Sequence, residues 1–235
     1  MTLIAYVAGQ TSWAATINIP NSSFETATLS LSGNGTFSQL IAGSTIFVQG
    51  GTLGNWTASS TTVNATAGAF NPSPGGNNWT TTWWDGNNFG YLQESTLGTT
   101  ASLSQTLADT LQDNTLYTLS ALIGRRAFTP NFNYSLELFA GSTLLASASN
   151  LALASNSSGT DSALYTSGAS DPNFGQNLEI VLTSTGGSGF TEAFFDKISL
   201  TSQSTSAVPE PSMVTLGGLA MLALLFRQRS RRRHH

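Results

Sequence analysis

The sequence predicts an all-β fold, an antiparallel two-sheet β-sandwich of the jelly-roll kind, followed by a C-terminal transmembrane helix. Three observations predict it. From Thr16 onward, short segments rich in β-branched and aromatic residues alternate with clusters of Gly, Asn, Ser and Pro, and helical periodicity is rare. In "YTLSALIG" (117–124) and "NYSLELFAG" (133–141) every second residue is apolar over most of the run, the period of a strand with one buried face. The last 28 residues, "VPEPSMVTLGGLAMLALLFRQRSRRRHH", resemble nothing before them.

In chain order, the start "MTLIAYVAGQTSWAATINIP" has a short apolar stretch over 3–8 and a small-residue Ser12-Trp13-Ala14 site suited to cleavage before Ala15. It lacks a basic leader, so residues 1–14 are read as a truncated signal peptide, the alternative being a disordered or strand-like N-terminus. Strands are predicted over 16–19, 45–48, 56–59, 89–93, 101–107, 116–123, 132–139, 161–165, 178–183 and 193–200. "SLELFAGSTLLAS" is a hairpin, because Ala140-Gly141-Ser142 separates two apolar runs with a glycine able to take positive φ. "SLSQTLADTLQDNTLY" has some amphipathic character near 107–112 but is read as a strand ending in the polar turn "QDNT". The stretch 68–88, "GAFNPSPGGNNWTTTWWDGNN", is too rich in Gly, Pro and Asn for regular structure, and is predicted to be a long loop carrying three tryptophans. About ten closely spaced strands suit a sandwich better than a parallel α/β sheet. The sandwich domain is placed at 15–201, a linker at 202–207, and the distinct tail at 208–235.

Charged residues are 9% of the chain, well below the usual quarter, and Ser, Thr, Asn and Gly take their place. Thirteen Phe, five Trp and five Tyr supply the large apolar side chains that a disordered chain lacks. Between Ala15 and Ser206, eleven acids stand against Arg125, Arg126 and Lys197, a net of eight negatives. So acidic a body excludes nucleic acid as a partner, since gripping a phosphate backbone requires clustered cations. There is no cysteine, which rules out disulfides and thiolate chemistry, and the two histidines are His234 and His235 at the end of the chain. A histidine-based triad or histidine metal site in the body is thereby excluded. No Walker loop, nucleotide fingerprint or EF-hand loop is present.

Two stretches at opposite ends of the body, "INIPNSSFET" (17–26) and "FFDKISL" (194–200), resemble the first and last strands of carbohydrate-binding-module-like, galactose-binding-like jelly rolls. That resemblance implies a structural calcium between the two segments, with Glu25 and Asp196 as ligand candidates. Backbone carbonyls and Asn21 are open as further ligands, and the alternative is that both acids are solvated charges at strand ends. An all-oxygen ligand set suits a hard cation. Trp79, Trp83, Trp84, Asp85 and Tyr91 are the glycan-binding candidates, because sugar rings stack their C–H faces on indole and phenol rings while their hydroxyls meet amides and carboxylates. The competing reading is a satellite core of tryptophans beneath a loop. If extended, adjacent Trp83 and Trp84 point to opposite faces, so only one enters the core. Arg125 and Arg126 are the body's only cationic spot, either ion-paired with acids such as Glu137 or Glu179 or facing an anionic ligand. More faintly, the body resembles the calcium-dependent Stig cyclases, which implies Tyr91, Phe128 and Asp196 as catalytic counterparts.

The apolar run 213–226 is about 21 Å long as a helix, against a hydrocarbon core near 30 Å, and Pro211-Ser212 extends it slightly. A transmembrane helix is placed at 212–226, with Arg227, Arg229, Arg231, Arg232 and Arg233 holding the C-terminus in the cytoplasm. "VPEP", a short glycine-containing apolar helix and an arginine-rich end, in that order, resemble a PEP-CTERM sorting signal. The resemblance implies a Gram-negative host, export, a transient inner-membrane intermediate, and cleavage by an exosortase that recognises Val208, Pro209, Glu210 and Pro211. The sequence therefore suggests a cell-surface or matrix protein whose body binds extracellular polysaccharide with calcium stabilising the fold. An enzyme on the same fold, glycan-active or cyclase-like, and a purely structural matrix protein are the alternatives.

Overall fold

The computed structural model describes residues 13–26, 30–32, 35–39, 53–60, 65–72, 83–127, 131–186 and 189–205. Among these there are thirteen strands in two antiparallel sheets and no helix. One sheet runs in the order β11 (Ser157–Thr166), β8 (Thr115–Arg125), β13 (Thr191–Ser204), β6 (Phe89–Glu94), β5 (Ala65–Pro72), β3 (Gly35–Gln39), β2 (Ser30–Ser32). Its eighth strand, β1 (Ala15–Ile17), pairs with residues 200–202 of β13, whereas β6 takes residues 191–195 of the same strand. The other sheet runs β10 (Thr143–Ser149), β9 (Ser135–Ala140), β12 (Asn177–Thr185), β7 (Thr100–Thr110), β4 (Thr57–Ser60). Residues 13–204 form a single compact unit.

Alternation builds the core, as the sequence predicts. Leu103 and Leu107 of β7, Leu136 and Leu138 of β9, and Leu178, Ile180 and Leu182 of β12 point inward from one sheet. Tyr117, Leu119, Ala121 and Ile123 of β8 answer them from the other. The hairpin forms where the sequence places it, Gly141 turning at φ +56°. "QDNT" is likewise a turn after β7.

The expected loop over 68–88 is corrected at its start, because residues 68–72 complete β5. Alanine is a poor strand former, but Ala65, Ala67 and Ala69 alternate into the core, where inter-sheet packing outweighs local preference. Ser30–Ser32 and Gly35–Gln39 also form strands that the small polar residues there did not announce. The strand expected over 45–48 lies outside the described residues, as do most of the signal peptide over 1–14, Trp79, Phe128, Val208, Pro209, Glu210, Pro211 and the apolar run 212–226. Among the described residues, no helix is long and apolar enough to cross a membrane.

In β6 and the first six residues of β13 the alternation disappears. Five of the six residues of β6, and all of Thr191–Asp196, are buried. Both faces of the sheet are therefore covered here: one by the inter-sheet core, the other by a second aromatic cluster on the outer face.

Candidate functional site

The outer cluster consists of Phe70 (β5), Phe89 and Tyr91 (β6) and Phe194 (β13), all buried, with Trp83 and Trp84 packed on top. Trp83 stacks on Phe89 with centroids 5.3 Å apart, while Trp84 meets Phe89 edge-on at 5.5 Å. The two indoles stand perpendicular to each other at 5.8 Å. Residues 83–88 are not extended, so the expectation that these neighbours point to opposite faces is corrected: both half-buried rings rest on one floor. Gly124 makes room for Trp83, since a Cβ at this position would lie 2.0 Å from the indole. Tyr91 is part of the floor itself, and burial holds its hydroxyl protonated well above the usual range, with the Glu192 charge adding to the effect.

The loop beneath the tryptophans is tied down by two carboxylates. Asp196 Oδ2 accepts the Asp85 N–H at 2.5 Å and its Oδ1 accepts the Lys197 N–H at 2.7 Å. Glu25 Oε1 accepts the N–H groups of Asn87 (2.9 Å) and Asn88 (2.8 Å). Gly86, at φ +67°, brings the backbone so close that a Cβ would lie 2.6 Å from the Glu25 carboxyl. Thus the two acids predicted from the ends of the body do meet a common four-residue loop. Asp196 is fully buried, and burial pushes its pKa up to about 6 against the hydrogen bonds from Asp85, Lys197 and Ser23, with the Asp85 charge raising it further.

The segment carrying Glu25 is shaped by a tight turn. Asn21 and Phe24 both take left-handed backbone, at φ +56° and +59°. Asn21 donates its amide to Leu53 O at 3.0 Å and accepts the Thr26 N–H at 2.9 Å, so its side chain is spent on the turn. Ile198 N–H donates to Ser22 O at 3.1 Å, which joins this turn to β13.

Sequence reasoning missed Glu192. It is buried, two residues before Phe194, and its carboxylate, not that of Asp196, is the one whose field acts on Tyr91. Arg126 neutralises it at 2.9 Å, correcting the expected partners Glu137 and Glu179. Alternation puts Glu192 and Phe194 on one strand face, but it is the register, with Phe194 opposite Tyr91, that brings Glu192 beside the phenol.

A separate cavity of about 700 Å³ opens at one end of the sandwich, lined by Arg125, residues 131–133 and 150–154, and Thr191.

A family model described as HpiC1 cyclase matches residues 15–201. The chain belongs to the HpiC1-like family. Residues 207–232 match the PEP-CTERM protein-sorting motif, which marks the HpiC1-like chain for export to the cell surface and exosortase processing. The HpiC1-like body is similar to a Stig cyclase, Fisc, from Fischerella sp. TAU, with a TM-score of 0.67 and 24% identity over 83% of this chain and all of that one. An apo cyclase from Fischerella sp. gives 0.65 and 24% over 82% of this chain and 98% of its own. A carbohydrate-binding module of the β-sandwich superfamily gives 0.43 and 17% over 63% and 58%. No curated protein matches the sequence.

The calcium that the family resemblance implies can be tested against the residues of this HpiC1-like chain. Among the described residues, no three Asp, Glu, His or Cys side chains gather as a metal cluster. The loop nevertheless offers hard oxygen atoms in the right chemistry. Asn88 Oδ1 is buried without a hydrogen-bond partner, while its Nδ2 donates to Phe24 O at 3.1 Å. Asp196 is desolvated next to a second negative charge, Asp85, a combination that a cation relieves. Each carboxylate oxygen that accepts one N–H keeps a second lone pair. The oxygens of Glu25, Asn88 and Asp196 thus have the donor chemistry that a hard cation takes.

Proposed function

We propose that this protein is a sorted cell-surface or matrix protein whose body binds extracellular glycan on the Trp83–Trp84 ledge, with calcium bracing the loop beneath it. The observation that carries this reading is the pair of half-buried indoles seated on a buried aromatic floor. A rigid, partly exposed aromatic ledge offers a sugar's C–H face a stacking surface at little entropic cost. Asp85 is exposed beside it and offers a carboxylate to the sugar hydroxyls. Tyr91 and Phe89 support the ledge from below and would not touch the ligand. Glu25, Asn88 and Asp196 would hold the calcium, which supplies positive charge to a loop that otherwise presents carboxylates. The tail would hold the exported chain in the inner membrane through residues 212–226, arginines in the cytoplasm, until the exosortase cuts at Val208–Pro211.

Acid catalysis on Asp196 is the weaker reading. Its two oxygens are engaged by backbone N–H groups and it has no exposed surface, so it has no open path for delivering a proton to a substrate.

The test is a glycan array in millimolar calcium, comparing the wild type with the Trp83→Ala/Trp84→Ala double variant. The wild type should retain a defined set of glycans and the variant should bind them about tenfold or more weakly, the equivalent of one lost stacking contact. Retention of no glycan by the wild type overturns the binding reading and leaves a structural matrix component. In parallel, calcium should raise the melting temperature of the wild type and leave that of Glu25→Gln unmoved; an indifferent wild type removes calcium from the account.

A further inference from the structure

The cavity at the end of the sandwich lies apart from the tryptophan ledge. Along β8, Tyr117, Leu119, Ala121 and Ile123 face the inter-sheet core, and Gly124 faces Trp83 on the outer surface. Arg125 follows the inward set and Arg126 the outward one. The two adjacent arginines thus serve opposite faces: Arg126 pairs with Glu192 beside Tyr91, and Arg125 lines the cavity.

Arg125 is fixed in place but electrically unanswered. Its Nη1 donates to Leu153 O at 2.9 Å, and its guanidinium carbon lies 5.7 Å from the centroid of the Phe132 ring. Nε, inside the wall, has no hydrogen-bond partner. Among the described residues, no carboxylate lies within ion-pair distance of it. In a body carrying eight net negatives, an arginine with no ion-pair partner among the described residues is conspicuous. A positioned guanidinium with no carboxylate partner favours an anionic oxygen, which takes a charge-assisted hydrogen bond from it.

The rest of the lining describes what else the ligand carries. Asn131 and Asn150 are polar members of the lining, and among the described residues the Asn150 side chain makes one hydrogen bond, its Oδ1 accepting the Tyr134 N–H at 3.4 Å. Leu151, Leu153 and Phe132 add apolar wall. A volume near 700 Å³ is of the size that takes a small organic ligand. Amides for hydroxyls, apolar wall for ring C–H groups and one cation for one negative charge together define a polyhydroxylated ring bearing a single carboxylate.

From this we infer that the Arg125 cavity is a second binding site, selective for acidic sugars of the uronic-acid class. The site goes beyond the ledge reading and uses none of its residues, so either can fail without the other. The test is calorimetric titration of the full chain with tri-galacturonate and, separately, with neutral galactotriose. The wild type should bind the acidic trisaccharide at least about tenfold more tightly than the neutral one. Arg125→Gln should lose that preference, Arg125→Lys should keep part of it, and Trp83→Ala/Trp84→Ala should leave it intact. Equal binding of the two sugars, or no binding of tri-galacturonate, overturns the inference on the wild type alone. A preference that survives in a folded Arg125→Gln but is lost in the tryptophan variant moves the acidic site to the ledge and overturns it as well.

Discussion

Gly124 shows how a single missing side chain builds the candidate site. It sits in "LIGRR" on β8, in register with Phe194, and the Trp83 indole occupies the space where its Cβ would be. Gly90 does the same on the other face, where a Cβ would lie 2.5 Å from the Phe24 ring. Replacing Gly124 by alanine should push Trp83 off its floor, costing about 1–3 kcal/mol as an overpacked contact does. The expected signature is a red-shifted tryptophan emission together with weaker glycan retention; unchanged emission would show that the ledge is not seated there. None of this was legible beforehand. A glycine inside an alternating strand signals a close approach, but the approaching side chain lies 41 positions away in sequence. Glu25 and Asp196, by contrast, were legible because short motifs marked both, and they do meet at one loop. Glu192 carried no motif, and only its strand register placed it beside Tyr91.

At the scale of elements, β13 is the strand on which the site depends. It pairs with β6, β8 and β1, and its register slips between Asp196 and Ser199. Lys197 occupies the bulge at φ +49°. The extra residue re-aims the strand, so that Ala193 and Phe195 face the core before it and Ile198 and Leu200 after it. It also presents the Lys197 N–H to Asp196. A β-branched residue is strained in left-handed backbone and glycine is not. Lys197→Val should therefore lower stability by roughly 1–2 kcal/mol, and Lys197→Gly should be neutral or raise it by up to about 1 kcal/mol. Urea denaturation reads both, and equal midpoints for the two variants would contradict the bulge. The bulge could not be read from "FFDKISL", in which Lys197 resembles an ordinary exposed strand residue. The double-sided burial of β6 and β13 could be: "FGYL" and "AFF" are unbroken apolar runs, the mark of a strand covered on both faces.

Across the whole body, two buried acids set a pH dependence. Glu94 lies between the sheets, fully buried, with Oε2 accepting the Ser184 hydroxyl at 2.8 Å and Oε1 without a partner. Burial pushes its pKa from 4.5 up to about 7, and that of Asp196 from 3.8 up to about 6. Both acids hold their protons more tightly in the folded state. The stability they contribute is full below about pH 4 and is lost as pH rises through 6 and 7. Glu94→Gln mimics the protonated form, so at pH 8 it should be more stable than the wild type by roughly 1–3 kcal/mol, and it should remove roughly half of the decline between pH 4.5 and 7, Asp196 accounting for the rest. Thermal melts across that range in the presence of a chelator measure it, and an unaltered slope would mean that Glu94 is not the titrating group.

What the sequence determined by itself is what is encoded locally: the strand alternation, the Gly141 hairpin, the near-absence of charge, and the sorting tail, whose order of motifs is matched at 207–232. Each depends on neighbours within a few residues, because a strand's period and a motif's spacing are properties of adjacent side chains. The tertiary structure alone decided which face of the large sheet carries a second aromatic cluster, that Trp83 and Trp84 lie on it together, that Glu192 and not Asp196 answers Tyr91, and that Arg125 and Arg126 part to opposite faces. Those relations join residues tens of positions apart. They are fixed by sheet register and close packing, which act through space and leave no mark on the order of the residues.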